Sequence, residues 1–286
     1  MTKWQGFISE KNYIWSFPTD KTDDVMTNNL FEKIENSSPI DFGDIFNKSI
    51  ELFKKIWVQG FVHLLITMAV MIPLFAVMYI PIFALAGLSG LENNYGEYGD
   101  YGYPQEELSI GLMIIFIVLV LIVSMVATTF QFGINAHFYR VCRQVDMGEA
   151  QSSKYFMFFK GKYLGKIFAI SIATFGIALL AALLCYIPIL YVMVPIHLLG
   201  AIFAFNPDLS VSDLIKASFK LGNKIWLIAF GLIFVSSMLA QLVGMLLCFV
   251  GIFFTAFFVY MPVYYMYKEA IGFDETEPKE DTLLVE

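Results

Sequence analysis

Lys and Arg occur in this chain only between long uncharged runs, and in only some of the intervals, which limits the possible folds more than any other feature. Four runs carry no charge: Ile56–Leu88, Ile110–Tyr139, Ile167–Asn206 and Ile225–Tyr267. Seven of the eighteen basic residues precede Ile56, none falls in 89–109, six fall in 140–166, three in 207–224 and two after Tyr267. A Lys or Arg at the centre of a membrane helix costs about 2.5–3.5 kcal/mol, and basic connectors stay on the cytoplasmic side. The placement therefore predicts an all-α integral membrane protein with a cytoplasmic N-terminus. The composition agrees, at 58% hydrophobic and 15% charged, where soluble domains carry about a quarter charged residues.

One span needs roughly 20 apolar residues. The last two runs hold 40 and 43 residues, so each reads as a hairpin. Six transmembrane helices follow, near 57–86, 111–135, 166–185, 187–205, 224–243 and 247–267, with both termini cytoplasmic. The first run is too long for one upright span, and Pro73 and Pro81 are expected to kink or end it, because proline removes a helix hydrogen bond. Around the six-span domain, 41–272, lie a cytoplasmic N-terminal tail, 1–40, and a cytoplasmic acidic tail, 273–286. The tail over 1–40 carries Trp4, Phe7, Tyr13, Trp15 and Phe17, which suit a small folded cap or a partner-binding segment. The Gly/Tyr-rich acidic interval 89–109 reads as an external loop. The polar first fifty residues contain no early apolar run, so no signal peptide is expected. Cys142, Cys185 and Cys248 form no even framework and read as unpaired thiols.

A repeat is written into the connectors. Residues 44–57 match residues 213–226 at six of fourteen positions, at a constant offset of 169. A fainter third copy spans Ser152–Phe168. Asp41 or Asp44, and Ser210 with Asp213, are helix-start signals. Ile45, Phe46, Ile50, Leu52, Phe53 and Ile56 follow helical spacing, with Lys48, Glu51, Lys54 and Lys55 between them. The repeat predicts three units of amphipathic helix plus transmembrane hairpin, each helix lying on the lipid interface. Lys55, Trp57, Lys166, Lys224 and Trp226 are then interfacial anchors, since lysine snorkels and tryptophan favours headgroups. Two spans per unit make the repeats parallel about an axis along the membrane normal.

Part of this pattern resembles a known group. Ala217, Ser218 and Leu221, then Asn223 with Trp226, Gly244 and Gly251, and Pro262 with Tyr267 are similar to a helix, Gly-rich tip and late proline shared by a bacterial family. The connector Gly148–Lys160 resembles the same family's middle connector. The family comprises uncharacterised multi-pass inner-membrane proteins related to the membrane domain of glycerophosphoryl diester phosphodiesterases. The resemblance covers about residues 41–272 and implies a fold and an inner-membrane location. It does not carry the phosphodiesterase activity, whose soluble domain this sequence does not contain.

Residues able to do chemistry are sparse. No Asp, Glu, Lys or Arg lies within a predicted span, which lowers the expectation of an ion-coupled transporter. Intramembrane polar contacts are assigned to Gln131, Asn135, His137, His197 and Gln241, with His63 beside them. Gln131 and Asn135, one turn apart, suit hydrogen bonding between helices. His63, His137 and His197 would form a metal site only if their helices met, and no metal or other cofactor is expected. His137, Arg140, Arg143, Asp146 and Glu149 are the titratable groups that an enzyme could use. No Gly-x-Ser-x-Gly, phosphate-binding Gly-rich loop or His-Glu-x-x-His motif is present. The reading is a non-enzymatic inner-membrane protein, an accessory or structural subunit of an envelope complex; the alternative is a transporter or lipid-handling protein. Membrane lipids, other membrane proteins or a second copy are the expected partners, and the net charge of −7 points to no nucleic acid.

Overall fold

A computed structural model describes residues 21–95, 105–149, 154–184, 187–247 and 250–273. Among these residues the regular structure is helical, without strands. The α-helices are α1 (Lys21–Asn36), α2 (Phe42–Tyr95), α3 (Gln105–Met147), α4 (Lys162–Leu183), α5 (Ile187–Phe205), α6 (Val211–Leu246), α7 (Ile252–Thr255) and α8 (Tyr260–Ala270). Five of them, α2 to α6, are long and apolar enough to cross a membrane.

Three features differ from expectation. First, α2 runs through 54 residues, roughly 80 Å at 1.5 Å per residue, and neither Pro73 nor Pro81 ends it. A membrane helix tolerates proline where neighbouring groups and local adjustments satisfy the freed carbonyl. Second, α2 and α3 extend into the expected loop 89–109; the remaining part, 96–104, lies outside the described residues. Third, the interval 247–267 holds no single long helix. After α7 comes a 3-10 segment, Ala256–Val259, and then α8. The change begins at Thr255, whose φ widens to −113°. Its hydroxyl donates to the Ala240 carbonyl at 2.7 Å and to Gly251 at 3.1 Å.

The two strong copies of the repeat fold alike at their starts. Asp41 accepts the Asp44 N–H at 2.8 Å, and Ser210, 169 positions later, accepts the Asp213 N–H at 3.1 Å. Each cap satisfies one free donor of a first turn. The buried stripe also matches: Ile45, Ser49, Leu52 and Ile56 in α2 correspond to Leu214, Ser218, Leu221 and Ile225 in α6. These stripes are covered by protein. Phe46 packs against Phe258, and Phe53 lies 5.4 Å from Phe257. The amphipathic segments are therefore part of the bundle rather than helices lying alone on lipid. The copies diverge at the end of the stripe, for α6 breaks at Ile225 (φ −115°, ψ 17°), whereas helix continues past the matching Ile56. The faint third copy has another form. Its described part holds a 3-10 turn at Met157–Phe159, and α4 begins only at Lys162.

Within a bilayer, helices gain little by hiding apolar surface from lipid that is equally apolar, so close packing must hold them. The core gathers α3, α5, α6 and α8 around Phe138, Phe203, Leu221, Met261 and Tyr264. In α5 56% of the most apolar window is buried, against 6% in both α2 and α3. This makes α5 the central helix and leaves the most apolar stretches of α2 and α3 at the periphery. Gly60 lets α2 meet the 3-10 segment, since a Cβ there would sit 2.1 Å from the Phe257 ring. Helix α1, inside the interval expected to be a tail, buries Leu30 and Ile34 and packs on α6.

Candidate functional site

The densest polar arrangement lies where the basic connectors meet. Asp146, near the C-terminal end of α3, accepts from the Tyr264 and Tyr265 hydroxyls, each at 2.8 Å, and from Lys268 Nζ at 2.6 Å. Burial opposes its ionisation. Lys268 and the Tyr265 and Tyr264 hydroxyls outweigh that effect and hold its carboxyl below the usual carboxylate range. Arg140 Nε donates to the Ala204 carbonyl at 2.7 Å, and its guanidinium lies over Phe158. Arg143 covers Phe273 with 4.5 Å to the ring centroid. Asn206 donates to the Ile202 carbonyl, one turn earlier, and to the Tyr267 hydroxyl.

Of the five titratable groups singled out at this end, Arg140, Arg143 and Asp146 join one interlocked set. Glu149 is exposed, and His137 sits deeper, buried beside Tyr155 at 4.6 Å between rings. The arrangement ties the end of α3 to α8 and to the α5–α6 connector, and its chemistry is that of a clasp.

The intramembrane polar residues do not gather in one cluster. Gln131 Nε2 donates to Asn135 Oδ1, one turn further along α3, at 2.7 Å. His63 stacks on Phe138 at 4.3 Å and meets the Tyr260 ring edge-on at 5.5 Å. Gln241 stands elsewhere, in a pocket of about 170 Å³ between α6 and the 252–259 interval, with Ser237, Ala240, Thr255 and Val259. His197 Nδ1 lies 2.8 Å from the Met193 carbonyl one turn earlier. Among the described residues no three His, Cys, Asp or Glu side chains converge as a metal-holding group.

The expected anchors also divide. Lys55 and Trp57 are exposed, as a headgroup contact requires. Lys166 instead donates to the Pro207 and Asp208 carbonyls at 2.6 and 3.0 Å. Lys224 caps α1, donating to the carbonyls of Ile34, Glu35 and Ser37 at 3.0, 2.6 and 2.9 Å. Cations suit a helix C-terminus, where carbonyls lack partners. Trp226 Nε1 donates to the Tyr191 carbonyl at 3.2 Å. Lys220 pairs with Glu35 beside this cap, and its hydrogen bond and charge lower the Glu35 pKa.

Sequence reasoning missed Tyr260, Tyr264, Tyr265, Tyr267 and Lys268. The signal was present in the run Tyr264-Tyr265-Met266-Tyr267-Lys268, which places three hydroxyls and an ammonium within about one helical turn. It also missed Ser237 and Thr255, whose pocket arises only from a broken helix. Of the cysteines, Cys142 is a buried free thiol, while Cys185 and Cys248 lie outside the described residues. In comparisons with family models, with curated proteins and with solved structures, nothing matches this chain.

Proposed function

We propose that the chain is a non-enzymatic component of the bacterial inner membrane, an accessory or structural subunit of an envelope complex. The observation that carries this reading is the destination of the polar side chains. Asp146, Arg140, Lys166, Lys224 and Trp226 make bonds within the protein, so the groups best suited to chemistry serve cohesion. In this reading the chain crosses the membrane six times, the succession 252–270 being the last crossing, and both termini are cytoplasmic. The matched caps and buried stripes of α2 and α6 support a parallel repeat, in two copies more clearly than in three. Lipids cover the exposed apolar faces of α2 and α3, and other membrane proteins or a second copy are the partners.

Crosslinking in native membranes, followed by purification in mild detergent, tests the reading. A defined protein partner or a self-adduct is expected. A chain that purifies as a monodisperse monomer, with no adduct captured, overturns it. A second reading, a transporter or lipid-handling protein, is favoured by one observation: the pocket at Gln241 is bordered by a helix interrupted where a membrane helix would ordinarily be continuous. Non-helical backbone at that depth is tolerated where it is buried in protein or lines a cavity.

A further inference from the structure

The two strong copies of the repeat use the same three positions differently. In the second copy all three bond within the protein: Asn223 accepts from the Tyr191 hydroxyl, Lys224 caps α1, and Trp226 donates to the Tyr191 carbonyl. Their counterparts 169 positions earlier are Lys54, Lys55 and Trp57. All three are exposed, and among the described residues none of their side chains makes a hydrogen bond, an ion pair or a ring contact. Glu51, the exposed acid one turn before Lys55, is not engaged by it. Other lysines at this end bind within the protein: Lys48 to Glu269, Lys162 to Asp208 and Lys268 to Asp146. Lys54 stands three and four positions before Trp57 and Val58, and Lys55 three before Val58, so the four side chains share one helix surface. From Val58 an apolar stripe continues along α2 through Leu65 and Ile72, all of them exposed.

We propose that Lys54, Lys55 and Trp57 form a binding site for the headgroup of an anionic phospholipid, with an acyl chain along Val58, Leu65 and Ile72. Charge and polarity choose this occupant. Two adjacent ammonium groups suit a headgroup of net negative charge, whereas a helix end, such as the one Lys224 caps, offers only partial charge. A zwitterionic headgroup brings its own ammonium, which the two lysines repel. A soluble anion would leave Trp57 and Val58 uncovered, while one lipid molecule covers both the cations and the apolar stripe. The site stands where the uncharged run begins at Ile56, the depth at which lysine snorkels and tryptophan meets headgroups. Each lysine beside an anionic membrane surface is expected to change binding about fivefold. The proposal goes beyond both functional readings above and holds under either.

The full chain in detergent is titrated with dioleoyl phosphatidylglycerol or dioleoyl phosphatidylcholine, and native mass spectrometry reads the affinity of the first lipid bound. The wild type is expected to prefer phosphatidylglycerol about twentyfold, the product of two lysines. Replacing both with glutamine, Lys54→Gln with Lys55→Gln, should remove most of that preference, and replacing both with arginine should keep it. Each variant is first shown to match the wild type in melting midpoint. Where the double glutamine variant does not, the two single variants replace it, each expected to lower phosphatidylglycerol affinity about fivefold. Lys160→Gln is the control, because that lysine is exposed and has no partner among the described residues either; it should leave the preference nearly unchanged. Equal affinity of the wild type for the two lipids overturns the site. A loss in Lys160→Gln as large as in the double variant assigns the preference to overall charge and also overturns it. Release of bound phosphatidylglycerol by inorganic phosphate at equal concentration would assign a soluble anion instead, and would overturn it too.

Discussion

Asp146 keeps a negative charge at the end of α3 although only 13% of its side chain is exposed, because Lys268, Tyr264 and Tyr265 all direct donors at it. Asp146→Asn leaves Lys268 without its anion, and hydrogen bonds to charged groups contribute about 1.5–3 kcal/mol. The variant should lose about 2 kcal/mol, read as a lower melting midpoint in detergent. Tyr264→Phe should lose about half as much. The pH dependence follows from the direction of the shift. A carboxyl with a depressed folded pKa contributes fully above its unfolded value of about 3.9, and that contribution is lost as pH falls through the lower folded value. Between pH 7 and 5 the difference in melting midpoint between wild type and Asp146→Asn should stay constant, and below pH 4 it should shrink. A difference that disappears by pH 5.5 would assign the stabilisation to another group.

Helices in this chain are joined by features that a residue-by-residue reading treats as independent. Lys224 caps α1 from α6, satisfying three carbonyls, while the Lys220–Glu35 pair beside it is largely exposed. Exposed pairs, screened by solvent, contribute little. Lys224→Met should therefore release α1, seen as faster amide exchange over residues 21–36 with little change elsewhere, whereas Glu35→Gln should alter that exchange only slightly. Close approach gives a second test. A Cβ on Gly244 would lie 2.8 Å from Ile252 Cα and 2.9 Å from its nitrogen, and backbone cannot yield as a side chain can. Gly244→Ala should cost about 1–3 kcal/mol by overpacking. Gly165, within α4, has open space around it, and Gly165→Ala should stabilise by up to about 1 kcal/mol through helix propensity. Equal melting midpoints for the two variants would contradict this packing of α6 on α7.

For the whole molecule, the parity of crossings decides the placement of everything after α6. Five helices have the length and apolarity to cross, and the succession from Ile252 to Ala270 is the contested sixth. Its α7, 3-10 and α8 parts hold 4, 4 and 11 residues, about 30 Å in all at 1.5 and 2.0 Å per residue, which equals the thickness of a hydrocarbon core. Six crossings predict that a cysteine placed at position 280 reacts with a membrane-impermeant thiol reagent only after lysis, as does one at 160, while one at 98 reacts in intact cells. Reaction at 280 in intact cells would place the C-terminus outside and leave an odd number of crossings.

Charge exclusion made the helical class and the apolar segments legible in the primary structure, because a charged side chain in hydrocarbon is costly wherever the segment lies. Cap residues such as Asp41 and Ser210 were legible for a similar reason, since their partners are three residues away. What the bonding groups of Lys166, Lys224 and Tyr264 touch was not. Each meets a partner distant in the chain, and snorkelling to a headgroup and capping a neighbouring helix ask the same thing of a lysine. Helix packing alone made that choice, as it did the break at Thr255, where a hydroxyl found a carbonyl of α6.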